Sequence, residues 1–444
     1  MENVAVNRLK EVFEKQLAYQ WEVRTTTATQ RIAKLTSLRD VLLRRLDDIA
    51  EAAISDYARP LEEAKNQVYA VVQSINHIIA HLEEWMQPED YASDEGTTAK
   101  AIYEPRGLVC IFGTWNSPLS VTVHPLAEAV AAGNCVVVKP SEYTPAYSQI
   151  IADIVDEVFD EAEVAVVLGE ADVAEELLEL PFNHFFFTGG EKVGKIIMQG
   201  AAKHLAAVTL ELGGKSPAIL DRHIDLARTA QRLAYGKILM GGQFCICPDY
   251  LFVPEEDVEA FVQSYEGVVH ALLYEEGKIR TTERTQIVNE LHYNRLKNLV
   301  DDALDKGAVV LSGGTFNDEL RLIEPTIIGD VTDDMEIVQQ EIFGPLTFIK
   351  PYKEANEVIR YIRQRPNPLA LYIFSEDEEF QQHILSNTSS GGVTINDIVM
   401  HNAHPDLPFG GIGQSGFGHF HGRHGFKTFS HMRAVYTVQD TVNK

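Results

Sequence analysis

The stretch GLVCIFGTWNSPLSVTVHPLAEAVAAGNCVVVKPS, residues 107–141, decides the fold. It contains two short apolar runs, GLVCIFG and CVVVKPS, and each run is typical of a buried strand. Between them, HPLAEAVAAGN predicts a helix that stops at Gly133 and Asn134, residues that commonly end helices. Strand, helix and strand in this order predict one unit of a parallel sheet.

The alternation of strand and helix continues along the chain. Helix, strand, helix, strand and helix follow as TPAYSQIIADIVDEVF, VAVVLG, ADVAEELLEL, NHFFFTGG and EKVGKIIMQGAAKHL. A second alternating block runs from about residue 208 to about residue 427. We therefore predict an α/β fold with two doubly wound, mainly parallel sheets and a ligand-binding cleft between them.

The segment before these blocks is predicted to be helical. Apolar positions recur at helical spacing through residues 5–86, with one helix over residues 31–54 and another that begins at Pro60. QPEDYASDEGTTAK, residues 87–100, predicts a loop or an exposed hairpin.

Composition limits the classes of function. The chain has 444 residues, which suggests two or three domains, and its formal net charge of -27 argues against nucleic acids and anionic membranes as partners. Four cysteines do not make a disulfide scaffold, and no apolar run reaches the roughly 18 residues of a membrane span. The first residues lack the pattern of a signal peptide. We expect a cytoplasmic protein.

Two strand ends carry residues suited to a nucleotide. FTGGEKVGK passes through Gly189 and Gly190 into a helix, whose first N–H groups favour a phosphate. VVVKPSEYTP places Lys139 and Glu142 past another strand, where they suit phosphate and ribose contacts. A plain strand-to-helix turn and a solvated helix start are the alternative explanations.

A glutamate ends the apolar run of TLELGGKSP. In apolar surroundings, the pKa of Glu211 would rise and its carboxyl group could act as a general base near neutral pH. An ion pair between Glu211 and Lys215 is the alternative.

GGQFCICPDY contains Cys245 and Cys247. A metal site would need further ligands, such as the histidines of HFHGRHGF, but C-x-C differs from the usual C-x₂-C spacing, so we expect no metal. A disulfide between such near neighbours would be strained, and two buried thiols are the plain alternative. The glycines and Gln243 favour a turn that presents a reachable thiol beside N–H donors, as a nucleophile requires.

Together these motifs resemble the NAD(P)-dependent aldehyde dehydrogenase superfamily. ELGGKSP, GQFC, EIFGP and LPFGGIGQSGFG match its pattern, and TWNSP, KPSE and FTGG occur in the expected order. The resemblance covers nearly the whole chain. HGRHGFKTFSHMRAV resembles the class 3 subgroup, which includes fatty-aldehyde and aromatic-aldehyde enzymes.

The resemblance implies roles for three catalytic residues. Cys245 would attack the aldehyde to give a thiohemiacetal, and Asn116 with the N–H of Cys245 would hold the oxyanion. After hydride transfer, Glu211 would activate water to hydrolyse the thioester. CoA-acylating dehydrogenases, in which a thiol takes the acyl group, and catalytically silent members with a binding or structural role are the alternatives.

The resemblance also implies NAD as cofactor, with NADP compatible, because Glu142 would repel a 2′-phosphate. Gly190 stands where many members have Ser, which removes one phosphate contact. The residues that match the family's cofactor contacts are Lys139, Glu142, Gly189, Gly190, Gly194, Glu341 and Phe343.

Near the nucleophile, the resemblance implies an apolar substrate pocket. Ser117 stands where a larger residue is common, and Phe244 precedes the nucleophile, which suits an apolar aliphatic or aromatic aldehyde. Cys247 is expected to pack or to protect Cys245 from oxidation.

The expected architecture has three parts, two of them Rossmann-like. The NAD-binding domain takes residues 1–83 and 104–209, and the catalytic domain takes residues 210–427. Segments 84–103 and 428–444 resemble the family's bridging arm. Because a lone ribbon is unstable in water, we expect a homodimer.

Overall fold

The computed structural model describes residues 2–438, with side chains from residue 8 onward. The predicted ranges 1–83 and 428–444 therefore include residues outside the described part, namely residue 1 and residues 439–444. In chain order, the helices are α1 Glu2–Arg24, α2 Ala28–Arg44, α3 Leu46–Tyr57, α4 Leu61–Trp85, α5 Pro118–Ala132, α6 Pro145–Val158, α7 Ala171–Leu178, α8 Glu191–Ala202, α9 Leu226–Ile238, α10 Val258–Leu273, α11 Glu290–Asp305, α12 Glu336–Gln339, α13 Ala355–Arg363, α14 Glu378–Asn387, α15 Met400–Ala403 and α16 Gly422–Thr428.

Twenty strands occur in the described range. They are β1 Glu89–Tyr91, β2 Thr97–Pro105, β3 Leu108–Phe112, β4 Cys135–Lys139, β5 Val164–Val166, β6 His184–Thr188, β7 Ala207–Glu211, β8 Pro217–Leu220, β9 Tyr250–Pro254, β10 Tyr274–Glu275, β11 Lys278–Ile279, β12 Val309–Ser312, β13 Phe316–Asn317, β14 Leu322–Ile323, β15 Thr326–Gly329, β16 Leu346–Tyr352, β17 Ala370–Phe374, β18 Gly392–Ile395, β19 Gly416–Phe417 and β20 Ser430–Val438. The 3₁₀ helices of this range are Leu239–Gly242, Glu255–Asp257 and Gly413–Ser415.

The stretch 107–141 has the predicted order of strand, helix and strand, but α5 begins at Pro118, six residues before the predicted HPLAEAVAAGN. β3 and β4 are fully buried and pair in parallel, and α5 connects them. Pro118 occupies the first turn of α5, where its missing N–H is not needed. The helix stops at Gly133, whose φ of 87° is accessible to glycine without strain.

The first large sheet has the strand order β19-β7-β6-β3-β4-β5. Only β19 runs antiparallel, against β7. Alternate residues of β3 enter two different cores: Leu108 and Cys110 pack with residues of α1, α7 and α8, whereas Val109 and Ile111 pack with residues of α5 and α6. Helices on both faces make this a doubly wound sheet, as predicted.

The second large sheet has the order β12-β15-β16-β9-β8-β17-β18, and β12 alone runs antiparallel in it. One face packs on α11 and α13, and the other contributes to the core that includes α9 and α10. The α/β prediction with two Rossmann-like sheets is therefore confirmed. The domain limits stay predictions; β19 lies within the predicted catalytic range 210–427 but pairs with β7 of the first sheet.

A third, smaller sheet joins distant parts of the chain. β1 and β2 form the hairpin that was predicted as one option for residues 87–100, and β20 pairs with β2 along nine residues. The order β1-β2-β20 leaves β20 at an edge. Within the described range, no helix is both long and apolar enough to cross a membrane.

The helical prediction for residues 31–54 was wrong in one respect. Two helices, α2 and α3, occupy this range because Arg45 adopts φ −96° and ψ 19° between them. The hydrophobic periodicity continues across Arg45, because the helical hydrogen bonds from Arg45 to Val41 and from Ile49 to Arg45 are kept. The sequence pattern therefore did not reveal the bend.

Asn134 connects three parts of the fold. The side chain is fully buried, its Oδ1 accepts from the Gly107 N–H at 2.9 Å, and its Nδ2 donates to the carbonyl oxygens of Ala129 and Phe429 at 3.0 and 2.9 Å. These bonds tie the start of β3 and the end of α5 to the residue before β20.

We predict that Asn134→Ala lowers the midpoint of thermal unfolding, because each buried polar group left unpaired costs about 1–3 kcal/mol. The exposed Asn402 offers a matched control, and Asn402→Ala should leave the midpoint unchanged. Equal midpoints for the two variants in calorimetry would contradict this role of Asn134.

Candidate active site

Glu211 is the last residue of β7, at the carboxyl end of the first sheet. Its side chain is 3% exposed, and neither carboxylate oxygen has a hydrogen-bond partner. Burial raises the pKa of Glu211 well above its usual value, and the nearby carboxylate of Glu128 raises it further. A carboxyl group in this state is suited to accept a proton near neutral pH. The alternative ion pair with Lys215 is absent, because Lys215 binds Asp249.

Cys245 follows a turn with unusual backbone conformations. Met240, Gly241 and Gly242 have φ values of 53°, 60° and 68°, and a Cβ on Gly242 would lie 2.3 Å from the Gly344 carbonyl oxygen. The turn therefore requires glycine at Gly242. Gln243 fixes it from within.

The Gln243 side chain makes three hydrogen bonds to backbone groups. Its Nε2 donates to the carbonyl oxygens of Met240 and Gln286 at 3.0 Å, and its Oε1 accepts from the Val288 N–H at 3.1 Å. The predicted contribution of the glycines and Gln243 to this turn is thus confirmed by their geometry.

Cys245 is a partly exposed residue, whereas Cys247 is buried. Desolvation raises the pKa of Cys245 to about 12, and the carboxylates of Glu341 and Glu211 add to the rise, whereas the N–H groups of Cys245 and Ile246 oppose it. These N–H groups face the sulfur. The thiol is protonated at neutral pH in this environment, and a positive charge placed beside it would favour the thiolate.

Asn116 and Ser117 stand at the start of α5, against the cysteine turn. The Ser117 Oγ lies 3.9 Å from the Met240 Sδ, and the buried Arg59 donates to the Asn116 carbonyl oxygen at 2.7 Å. Asn116 is 5% exposed, and its Oδ1 has no hydrogen-bond partner. Arg59 thus fixes the backbone of Asn116 while leaving its side-chain amide available.

Glu341 lies beside the glycines that follow Glu211. A Cβ on Gly213 would come within 2.0 Å of the Glu341 Oε2, so the glycine leaves space for this carboxylate. Burial and the Asp249 carboxylate raise the pKa of Glu341 to about 8. The Gly214 N–H, Lys215 and Arg295 lower this pKa but do not cancel the rise. Glu341 therefore belongs to the same group of partly desolvated carboxyl groups as Glu211.

Phe343 has a φ of 48°, and its ring packs edge-on against Trp115 with centroids 5.4 Å apart. Arg295 supports the preceding backbone by donating to the carbonyl oxygens of Glu341 and Ile342 at 3.2 and 2.6 Å. This contact joins the EIFGP and TWNSP segments, which belong to different sheets.

Four of the residues predicted to contact a dinucleotide, Lys139, Glu142, Gly189 and Gly190, lie at or just after the carboxyl ends of β4 and β6 in the first sheet. Lys139 ends β4, is 5% exposed, and its Nζ lies 3.1 Å from a Glu142 carboxylate oxygen. Gly190 precedes α8 in open space, with no atom within 4 Å of a Cβ placed on it. The free N–H groups at the start of α8 can therefore approach a phosphate closely.

The other two glycines of this motif have structural contacts. The Gly189 N–H donates to the Glu211 carbonyl oxygen at 3.0 Å, which joins the glycine turn to the end of β7. A Cβ on Gly194 would lie 2.8 Å from the Leu212 Cδ2, so Gly194 allows α8 to pack closely on β7. A direct cofactor contact by Gly194 stays a prediction.

A cavity of about 550 Å³ opens between the start of α8, the Gly213–Lys215 turn and the EIFGP segment. Glu341 on its wall offers a carboxylate for ribose hydroxyls, and the glycines allow close approach of a flat ring. A helix start and a carboxylate are groups that suit a phosphate and ribose hydroxyls, although Lys139, Glu142, Gly189 and Gly190 do not line this cavity. Its lining residues include Glu191, Gly213, Gly214, Lys215, Glu341 and Gln414.

Phe244 and Cys247 are buried on either side of Cys245 in the sequence. Phe244 is 8% exposed and belongs to the main hydrophobic core, so its ring packs within the protein. The Cys247 Sγ lies 3.6 Å from the Gly236 carbonyl oxygen, and burial raises its pKa to about 11 although Lys237 opposes the rise. In residues 2–438, no group of three or more His, Cys, Asp or Glu side chains could hold a metal ion.

Several residues that support the site were missed in the sequence. Arg59, Asp249 and Arg295 carry no motif signal, because each acts through a tertiary contact to a distant segment. Glu128 alone had a detectable signal: a glutamate in the otherwise apolar helix HPLAEAVAA.

Comparisons with known proteins agree with these motifs. The aldehyde dehydrogenase family profile matches residues 3–435. Bacillus subtilis AldX is 42% identical over 440 residues, with 98% of this chain and 99% of the relative covered. A coniferyl aldehyde dehydrogenase of Pseudomonas sp. is 38% identical, with 93% and 87% covered, and the rat dimeric NADP-preferring aldehyde dehydrogenase is 37% identical, with 93% and 90% covered.

Similarity extends to solved structures. The substrate-bound state of Staphylococcus aureus AldH superposes with a TM-score of 0.94 at 34% identity, covering 98% of this chain and 95% of that one. The chain belongs to the aldehyde dehydrogenase family.

Proposed function

We propose that the chain oxidises an apolar aldehyde, either aromatic or medium- to long-chain aliphatic, to its carboxylic acid with NAD(P). The observation that carries this proposal is the partnerless buried carboxyl group of Glu211, whose charge raises the pKa of the partly exposed residue Cys245. The coniferyl aldehyde dehydrogenase relative supports the aromatic option.

Acylation begins at Cys245. Cys245 first loses its thiol proton to solvent. Its thiolate then attacks the carbonyl carbon, a C–S bond forms, and the carbonyl oxygen becomes an oxyanion. The Asn116 Nδ2 and the Cys245 N–H donate to this oxygen, and each such donor contributes about 3 kcal/mol to the transition state. When bound, NAD(P)⁺ would supply the acceptor for the hydride of the thiohemiacetal carbon, and Cys245 would then carry a thioester.

Deacylation uses Glu211. Its carboxylate takes a proton from water, the water oxygen attacks the thioester carbon, and the C–S bond breaks. The acid leaves and Cys245 is restored. Because Glu211 provides a base for water, we prefer hydrolysis to transfer of the acyl group to CoA, and the intact set of Cys245, Asn116 and Glu211 argues against a silent protein.

The cofactor would extend along the carboxyl edge of the first sheet. Lys139 and Glu142 would bind the adenosine ribose, Gly189 and Gly190 the pyrophosphate, and Glu341 with Phe343 the nicotinamide ribose. Gly194 would help to form the pyrophosphate turn by packing. The Glu142 carboxylate favours NAD, although the rat relative is named for its preference for NADP.

The substrate pocket would lie beside Cys245. Ser117 and Phe244 would shape the substrate pocket, with Phe244 acting from within the core. The NAD-binding domain, the catalytic domain and the bridging arm would have the residue limits predicted from the sequence. Four unpaired thiols support a cytoplasmic location.

Cys245→Ser should abolish aldehyde-dependent NADH formation, because a hydroxyl group is a far weaker nucleophile than a thiolate. Cys247→Ala is the matched control, and it should keep most of the turnover because the buried Cys247 only packs. Steady-state assays with aromatic and aliphatic aldehydes, with and without CoA, and analysis of the products measure both effects. Equal losses in the two variants would refute the assignment, and acyl-CoA without free acid would refute hydrolysis.

We further propose that the small sheet forms a homodimer contact. β20 is an edge strand, and one of its faces presents exposed apolar side chains: Met432, Tyr436 and Val438 are 55%, 61% and 67% exposed. Exposed apolar side chains on an unpaired edge favour association with a second copy.

The double variant Met432→Glu with Tyr436→Glu should therefore shift the protein from dimer to monomer, since charges on this face oppose its burial. Thr437→Glu, on the opposite face of β20, is the control and should remain dimeric. Light scattering after size exclusion measures the mass. A monomeric wild type, or a dimeric double variant, would contradict the contact.

A further inference from the structure

Tyr372 contacts the segment that carries Cys245 from an inner strand of the second sheet. It belongs to β17, which pairs in parallel with β8 on one side and with β18 on the other. Its side chain is fully buried, and its hydroxyl group donates to the Ile246 carbonyl oxygen at 2.5 Å. A buried tyrosine hydroxyl usually has a hydrogen-bond partner. Here the partner belongs to the residue that follows the proposed nucleophile.

The backbone around Cys245 forms a tight turn. The Cys247 N–H donates to the Phe244 carbonyl oxygen at 3.0 Å, which closes a β-turn with Cys245 and Ile246 as its central residues. The Ile246 carbonyl and the Cys247 N–H belong to one planar peptide group. The hydrogen bond from Tyr372 and the bond that closes the turn therefore act on opposite ends of the same peptide group.

The two hydrogen bonds are connected to the Cys245 N–H. The Phe244 carbonyl, which accepts from Cys247, shares its peptide group with the Cys245 N–H. A hydrogen bond accepted by a carbonyl group polarises the N–H of the same peptide, so bonds in series strengthen one another. The series runs from the Tyr372 hydroxyl through two peptide groups to the Cys245 N–H. This N–H faces the Cys245 sulfur, where the oxyanion would form.

The surroundings of Tyr372 keep its hydroxyl group a donor. Burial raises the pKa of Tyr372 well above its usual value, and the nearby Cys247 sulfur adds to the rise, so the phenol keeps its proton. The Val399 N–H faces the phenol oxygen and opposes the rise. Val399 has a φ of 56°, a conformation that is strained for a β-branched residue and persists only where the surrounding structure holds it.

We propose that Tyr372 is a positioning residue for the oxyanion that forms at Cys245. This inference rests on the proposed function, in which the Cys245 N–H is an oxyanion donor. Tyr372 fixes the turn that directs this N–H, and it strengthens the N–H as a donor through the two peptide groups. Both half-reactions are affected, because attack on the aldehyde and hydrolysis of the thioester each produce an oxyanion. The buried Tyr372 acts without contacting the substrate.

Tyr372→Phe removes the hydroxyl group and keeps the ring. An oxyanion donor contributes about 100- to 1,000-fold to the rate, and a series of hydrogen bonds strengthens each member by about 10–30%. On a logarithmic scale, that share predicts single-turnover NADH formation about twofold to eightfold slower than in the wild type.

Alkylation of Cys245 by iodoacetamide separates this effect from a distorted turn. The reaction displaces iodide and forms no oxyanion, and the Ile246 N–H still stabilises the thiolate. Mass spectrometry of the Cys245 peptide should therefore give a rate within about twofold of the wild type in Tyr372→Phe. Equal slowing of alkylation and NADH formation would mean that Tyr372 only supports the turn, and would overturn the proposal.

Tyr352→Phe is the matched control. Tyr352 is another buried tyrosine of the second sheet, and its hydroxyl group donates to the Leu220 carbonyl oxygen of β8 at 2.6 Å, outside the turn. Its loss should leave both rates unchanged. Unchanged NADH formation in Tyr372→Phe, or the same slowing in Tyr352→Phe, would overturn the inference. Full turnover in Cys245→Ser would instead overturn the proposed function itself.

Fluorinated tyrosines cover the case in which Tyr372→Phe does not fold. Site-specific replacement of Tyr372 by 3-fluorotyrosine and by 3,5-difluorotyrosine keeps the ring and the hydroxyl group and makes the hydroxyl a stepwise stronger donor. At a pH where both phenols keep their proton, single-turnover NADH formation should become faster in the same order. Rates that do not increase with fluorination would overturn the proposal, because a purely structural role is indifferent to the acidity of the hydroxyl group.

Discussion

The ion pair between Lys215 and Asp249 is the interaction on which the site most depends. The Lys215 Nζ binds the Asp249 Oδ1 at 2.5 Å and the carbonyl oxygens of Ile337 and Gln340 at 2.9 and 2.7 Å. Asp249 also accepts from the Ile342 N–H at 2.8 Å. This one ion pair therefore connects three segments: ELGGK, which contains Lys215, the residues just after Cys247, which include Asp249, and EIFGP. Removal of one partner from such a pair typically costs about 3–5 kcal/mol.

This arrangement explains why so many acidic groups coexist in a small volume. Lys215 compensates the charge of Asp249, but Glu211, Glu341 and Glu128 are desolvated with little compensation, and the pKa of each is raised. Carboxyl groups with raised pKa values, Glu211 and Glu341, therefore lie near the thiol of Cys245. Burial that would destabilise an ordinary core gives these carboxyl groups their suitability for proton transfer.

Much of the fold followed from the sequence because local patterns determined it. β3, α5 and β4 were predicted from apolar runs and a terminating glycine. The motif residues Glu211 and Gly242 pointed to the site, because buried carboxyl groups and strained turns restrict which residues can occupy a position. The contacts of Arg59 and Glu128 were not predictable, since each depends on the packing of segments distant in sequence. The solitary glutamate of α5 was a visible anomaly, but only the tertiary structure shows that Glu128 is fully buried.

The central claim is that Cys245 carries the acyl group and that Glu211 releases it. Tandem mass spectrometry of Glu211→Gln, after incubation with aldehyde and NAD, tests this most directly. The account predicts an increase by the mass of the acyl group, located on Cys245. An acyl group on Cys247, or turnover at the wild-type rate without any adduct, would contradict it.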